Sequence, residues 1–136
     1  MKYTVLEHLN NVKLQAYGKT LEEAFENGAK AMVSLMVKNV DPKTEKQITV
    51  GAMDVKGLLF VFLEELLYLA ETEDFFIQDI KVTIKKQKGF TLIAYVWGDK
   101  RREKYEFLKE VKAITYTDME VLEERNKSSI QVLVEV

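Results

Sequence analysis

Apolar and polar residues alternate from Val12 to Tyr17, with Val12, Leu14 and Ala16 on one face, and this period of two predicts a β-strand. Tyr3 to Glu7, just before it, is also extended in character. Gly18 permits a turn. Thr20 and Glu23 then form a T-x-x-E capping box, in which each side chain satisfies a free backbone donor of a first helical turn. Leu21, Ala24, Phe25, Gly28, Met32, Leu35 and Met36 follow at helical spacing and make a single apolar stripe. The helix is expected to stop before the loop from Asn39 to Lys43, because Pro42 drives Asp41 out of helical geometry.

Ile48, Val50 and Ala52 restore the alternation of a strand. Asp54 is placed to cap a second helix from about Lys56 to Thr72. Its run from Leu58 to Leu63 is apolar nearly all round, so this helix is expected to be largely buried, with Glu64 and Glu65 returning a face to water. Beyond Phe75 the pattern is that of strands. Ile80, Val82 and Ile84 alternate with polar residues, Lys88-Gly89 reads as a hairpin turn, and Phe90 to Trp97 returns. Glu110 to Tyr116, Met119 to Leu122 and Ile130 to Val136 complete the set. No repeat, low-complexity tract or linker interrupts it. The pattern predicts an α+β fold: one two-layer domain over residues 1–136, with two main helices on a mixed or antiparallel sheet.

The composition agrees with a chain that buries a core, since 47% of its 136 residues are hydrophobic. Charge is balanced, with 20 basic and 22 acidic residues and a net charge of -2, whereas sequence-independent nucleic-acid binders carry a basic excess. The absence of cysteine removes disulfides, thiol nucleophiles and Cys-based zinc sites. No run reaches the roughly 18 apolar residues of a membrane span, and the first residues contain no signal-peptide apolar region. A cytoplasmic protein is expected, with neither membrane nor DNA as partner.

Candidate chemistry is sparse. His8 is the single histidine, and no Gly-rich phosphate loop, His-rich metal motif or nucleophile–base pair is visible. Glu64 and Glu65 are neighbours on a helix and point about 100° apart, so a solvated face explains them better than paired acid–base work. Lys100, Arg101, Arg102 and Lys104, close to Trp97 and Tyr105, read as a solubilising loop or as a phosphate-attracting patch. Nothing in these residues calls for an enzyme.

Four blocks carry a resemblance. AYGKTLEEAFENGAKAM (Ala16 to Met32), LLFVFLEELLYL (Leu58 to Leu69), EVKAITY (Glu110 to Tyr116) and the terminal VLVEV together, in order and spacing, resemble the archease family. The resemblance implies an accessory protein, not an enzyme. It would help a GTP-dependent RNA-splicing ligase accept its guanylyl group and turn over repeatedly in tRNA splicing and RNA repair. RNA would then be contacted only indirectly. It also implies a bound divalent cation near an N-terminal acidic motif and a C-terminal acidic residue.

At the family's D-H-T-A-D-V motif this chain has Glu7, His8, Leu9, Asn10, Asn11 and Val12. His8 and Val12 match, Glu7 is a conservative change, and Asn11 replaces the aspartate expected to touch metal. Glu135, followed by Val136, stands where the family pattern has an aspartate before the last residue. Tyr105 falls near a family histidine. The resemblance thus places a metal or docking region at Glu7, Asn11, Glu135 and Val136. His8 either orients those ligands from behind or is structural. Calcium and magnesium take oxygen ligands and their affinity follows ligand charge, so Asn11, Glu135 and the terminal carboxylate of Val136 would make a weakened site. Lys112, in the EVKAITY block, is either an outward-facing charge or a contact to the partner. The alternative is a divergent protein-binding module that kept the scaffold and lost metal-dependent activation.

Overall fold

Thr20 and Asp54 start the two helices where their side chains predict. In the computed structural model, which describes residues 2–136 and of His8 the backbone alone, the Thr20 hydroxyl accepts from the Glu23 amide at 3.1 Å. The Asp54 carboxylate accepts from the Gly57 amide at 2.7 Å. Glu23 reaches back to the Lys19 amide at 3.2 Å, one residue earlier than a standard capping box. Helix α1 runs Leu21–Met36 and α2 runs Val55–Glu73. All seven residues of the expected apolar stripe of α1 are buried.

The strands are β1 (Tyr3–His8), β2 (Asn11–Gly18), β3 (Val37–Lys38), β4 (Thr44–Ala52), β5 (Phe75–Lys86), β6 (Phe90–Lys100), β7 (Glu106–Phe107), β8 (Ala113–Glu124) and β9 (Lys127–Glu135). Every pairing described is antiparallel. One sheet has the order β1-β2-β9-β8, a second β4-β6-β5, and β3 and β7 form a short ribbon. Two expectations are corrected. The segments expected at Glu110 to Tyr116 and Met119 to Leu122 are joined in one strand, β8, which starts only at Ala113, leaves Glu110 to Lys112 outside it, and is interrupted by an irregularity between Thr115 and Glu120. The two-residue strands β3 and β7 carry no readable period and were not anticipated.

Each helix touches both main sheets: α1 packs on β2, β9 and β5, and α2 on β4, β6, β5 and β8. That arrangement explains why α2 is apolar nearly all round. Val12, Leu14 and Ala16 from β2, Val132 and Val134 from β9, and Leu92, Ala94 and Val96 from β6 enter one continuous core with the helices. The alternate residues of both sheets face away from it, and these outward faces carry the surface chemistry.

Candidate partner-binding site

The register of β1, β2 and β9 decides which of the sequence-selected residues meet. Asn11 lies directly opposite Glu135 on β9 and opposite His8 on β1. Directly opposed residues of an antiparallel pair present their side chains on the same face. Val12 and Val134 point into the core, so Asn11 and Glu135 share the outward face at one end of the four-stranded sheet. The neighbouring Val136 amide donates to the Asn10 carbonyl at 2.9 Å, and the Lys112 amide donates to the Glu135 carbonyl at 2.7 Å. Three segments distant in sequence are thereby clasped together. The His8 side chain lies outside the described residues.

Glu7 goes to the other face. It pairs with Val12, on the helix side of the sheet, and at this edge strand its exposed carboxylate accepts from Lys109 Nζ at 2.7 Å. Lys109 was not singled out from the sequence, and no local signal there could have done so, because its partner is near the opposite end of the chain. The backbone around it is also tied down: the Leu108 and Lys109 amides donate to the Met36 and Leu35 carbonyls at 2.9 and 3.1 Å. Lys109 and Arg101 take part in the charged lining of an adjoining cleft of about 440 Å³ whose apolar wall includes Met36, Leu67, Phe76 and Leu108. Lys112 sits just ahead of β8, exposed, beside a groove where Glu64, Glu65 and Glu71 of α2 also lie.

This donor set does not fit a tight divalent-cation site. Glu7 is separated by the register and paired with Lys109, which leaves the neutral amide of Asn11 with the carboxylates of Glu135 and the Val136 terminus, a low charge count for a tight site. Among the described residues no three His, Cys, Asp or Glu side chains gather as metal ligands.

The basic run near Tyr105 resolves differently from an open patch. Asp99 is buried, and its carboxylate accepts from Arg102 Nε at 2.5 Å and Nη2 at 3.0 Å, from the Lys100 amide at 2.8 Å, and from the Tyr105 hydroxyl. The Arg102 guanidinium, more than the other donors, holds the Asp99 carboxyl well below the usual carboxylate range, against the opposing effect of burial. Burial first, then Asp99, pushes the Tyr105 hydroxyl up. Lys104 pairs with Asp41 at 2.5 Å, and the Asp41 amide donates to the Tyr105 hydroxyl at 3.2 Å. Arg101 stacks on Phe107, 3.8 Å from the ring centre. Arg101, Arg102 and Lys104 therefore hold loops together, and Tyr105 is a buried clasp residue between Asp99 and Asp41. Asp99 was missed because nothing in a Gly-Asp-Lys-Arg string distinguishes a buried aspartate from a turn.

The profile of the Archease protein family matches residues 3–136. The chain belongs to the archease family. The archease of Thermococcus kodakarensis is 42% identical over 124 residues, covering 88% of this chain and 87% of the relative. That of Methanosarcina barkeri is 34% identical over 140 residues, covering 99% and 96%. The solution structure of Methanobacterium thermoautotrophicum protein 1598 superposes with a TM-score of 0.82 at 31% identity, covering 98% of each chain. A crystal structure of a Thermotoga maritima archease, titled a possible chaperone, shares the fold with a TM-score of 0.64 at 16% identity, over 96% of this chain and 94% of that one.

Proposed function

We propose that this archease is a non-catalytic accessory protein that promotes guanylylation and repeated turnover of a GTP-dependent RNA ligase. The observation that supports it best is the convergence of Asn11, Glu135 and Val136 on one sheet end, with Glu7 around the edge beside the Lys109 cleft. An exposed, mostly backbone-braced corner suits docking against another protein, because its polar groups are prepositioned while no reacting pair is assembled.

The corner acts in this reading by shape and charge. Glu135 and Asn11 offer acceptors on one face, and the cleft next to Glu7 offers apolar wall. The test is label transfer from GTP to the ligase of the same organism, with and without this protein, across a divalent-cation titration. Stimulation that Glu135→Ala abolishes supports the activator role. No stimulation at any cation concentration, with both proteins folded, favours the alternative module that kept the scaffold and binds another partner.

A further inference from the structure

We propose that the outward face of the β4-β6-β5 sheet is a binding platform for single-stranded RNA, apart from the corner described above. The register places Trp97, Tyr95, Ile93 and Thr91 of the central strand β6 in one outward row, since the intervening Leu92, Ala94 and Val96 are buried. The helices leave this row open: α2 packs on β4, β6 and β5 from the buried side, and α1 meets the sheet along β5, where Glu26 accepts from the Val82 amide. Tyr95 is 43% exposed and Trp97 half-buried, and the strand rise sets their α-carbons about 6.8 Å apart on one face. Aromatics at alternate positions on the middle strand of an open sheet are the arrangement on which unpaired bases stack.

The charge around the rings suits a phosphate backbone. Lys81 lies directly opposite Tyr95 and Lys85 directly opposite Thr91 on β5, and both are exposed. Lys86 and Lys88 continue the series into the β5–β6 turn, and from Ile80 to Gly98 the chain contains no acidic residue. Lys81, Lys85 and Lys88 form no ion pair among the described residues. The net charge of -2 thus conceals a segregated basic surface. At the other end Trp97 is flanked by Glu45 and Asp79, and Asp79 is paired with Lys30 at 3.1 Å. Phosphates are therefore drawn toward the lysine end while the Trp97 end offers only a stacking surface.

Three exposed threonines, Thr49, Thr83 and Thr91, stand on the same outward face, Thr49 and Thr83 on either side of Ile93 and Thr91 opposite Lys85. Their hydroxyls can pair with 2′-hydroxyl groups, which is how a protein tells RNA from DNA. The Lys100–Lys104 run is the less suitable surface because Asp99 and Asp41 occupy its Arg102 and Lys104.

Trp97 is the single tryptophan, so its emission reports on the platform directly. The probe is a ten-residue oligouridylate titrated into the intact protein at low salt. Saturable quenching is expected, weakened about tenfold by Tyr95→Thr, which removes a ring and keeps a strand-forming residue. Lys81→Gln with Lys85→Gln should reduce the slope of log affinity against log salt by about 1.4. Oligothymidylate should bind more weakly than the RNA. Absence of quenching, or quenching untouched by both sets of substitutions in folded protein, overturns the platform. Equal affinity for the DNA oligomer overturns its assignment to RNA. A protein dimer that Tyr95→Thr dissociates would instead give the face to a second copy of the chain. The test uses no ligase, so its outcome is separate from that of the activator assay.

Discussion

Asn11 and Glu135 stand directly opposite each other on β2 and β9, with their side chains on the outward face. The pair joins one neutral acceptor to one carboxylate. Asn11→Asp would place like charges at an opposed position, costing about 0.5 kcal/mol, or roughly 2 °C in Tm, in chelator. It would also raise the local charge that a hard cation needs. Calcium at about 5 mM should then return about 1 kcal/mol if the site binds near 1 mM, while leaving the Tm of the natural chain unchanged. Thermal melts of both proteins with calcium and with chelator check this. A calcium-dependent rise in the natural chain would contradict the donor-set argument.

Glu7 and Lys109 form an exposed ion pair, with the two side chains 60% and 43% accessible. Such a pair contributes little to stability, so Glu7→Gln and Lys109→Gln should each change it by about 0.5 kcal/mol or less, with a coupling that half-molar salt removes. If Glu7 belongs to the docking corner, Glu7→Gln lowers ligase stimulation well beyond that small change. A double-mutant cycle on denaturation, run beside the guanylylation assay, separates the two effects.

Asp99 carries the main pH dependence. Its carboxyl is held below the ordinary value of 3.8, chiefly by Arg102. The folded-state value being depressed, the contribution of Asp99 is fully present above the unfolded value and is lost as pH falls below it toward the folded value. Asp99→Asn should lower Tm by several degrees at neutral pH. The gap between natural and variant chains should narrow from about pH 4 downward. Melts at a series of pH values read this directly, and a gap that stays constant down to about pH 2 would mean that the Arg102 pairing does not act on folding.

Both helices, their caps and most strands were legible because each is announced locally, by Thr20 and Glu23, by Asp54, and by alternation in β2, β5 and β6. The break of β8 into two readable pieces has a physical cause: its irregularity shifts the alternation between Thr115 and Glu120, where Asp118 has a φ of 65°. The site was legible as a set of residues only through the family motif. Its geometry was not, because the register that puts Asn11 beside Glu135 and turns Glu7 away is a property of three strands together. Lys109 and Asp99 were invisible for a related reason, their meaning lying in partners supplied by the tertiary fold.

Gly98 marks where that tertiary constraint is tightest. It sits on β6 opposite Ile77, next to the irregularity between Ile77 and Asp79, and a β-carbon there would lie 2.1 Å from the Phe76 carbonyl oxygen and 2.9 Å from the Ile77 α-carbon. Those atoms belong to the backbone of a central strand pairing, so no side chain can swing away to make room. Gly51, by contrast, would bring its β-carbon no nearer than 3.3 Å to its closest neighbour, on an exposed edge strand. Gly98→Ala should therefore cost about 3 kcal/mol, the upper end of overpacking penalties, and Gly51→Ala about 1 kcal/mol or less. Displacing β5 at Phe76 also disturbs the neighbouring Asp99, so the Gly98→Ala variant should lose part of the pH dependence described for that carboxylate. Chemical denaturation of the two alanine variants at neutral and acid pH tests both statements, and equal stability of the two proteins would refute the close approach of β5 and β6.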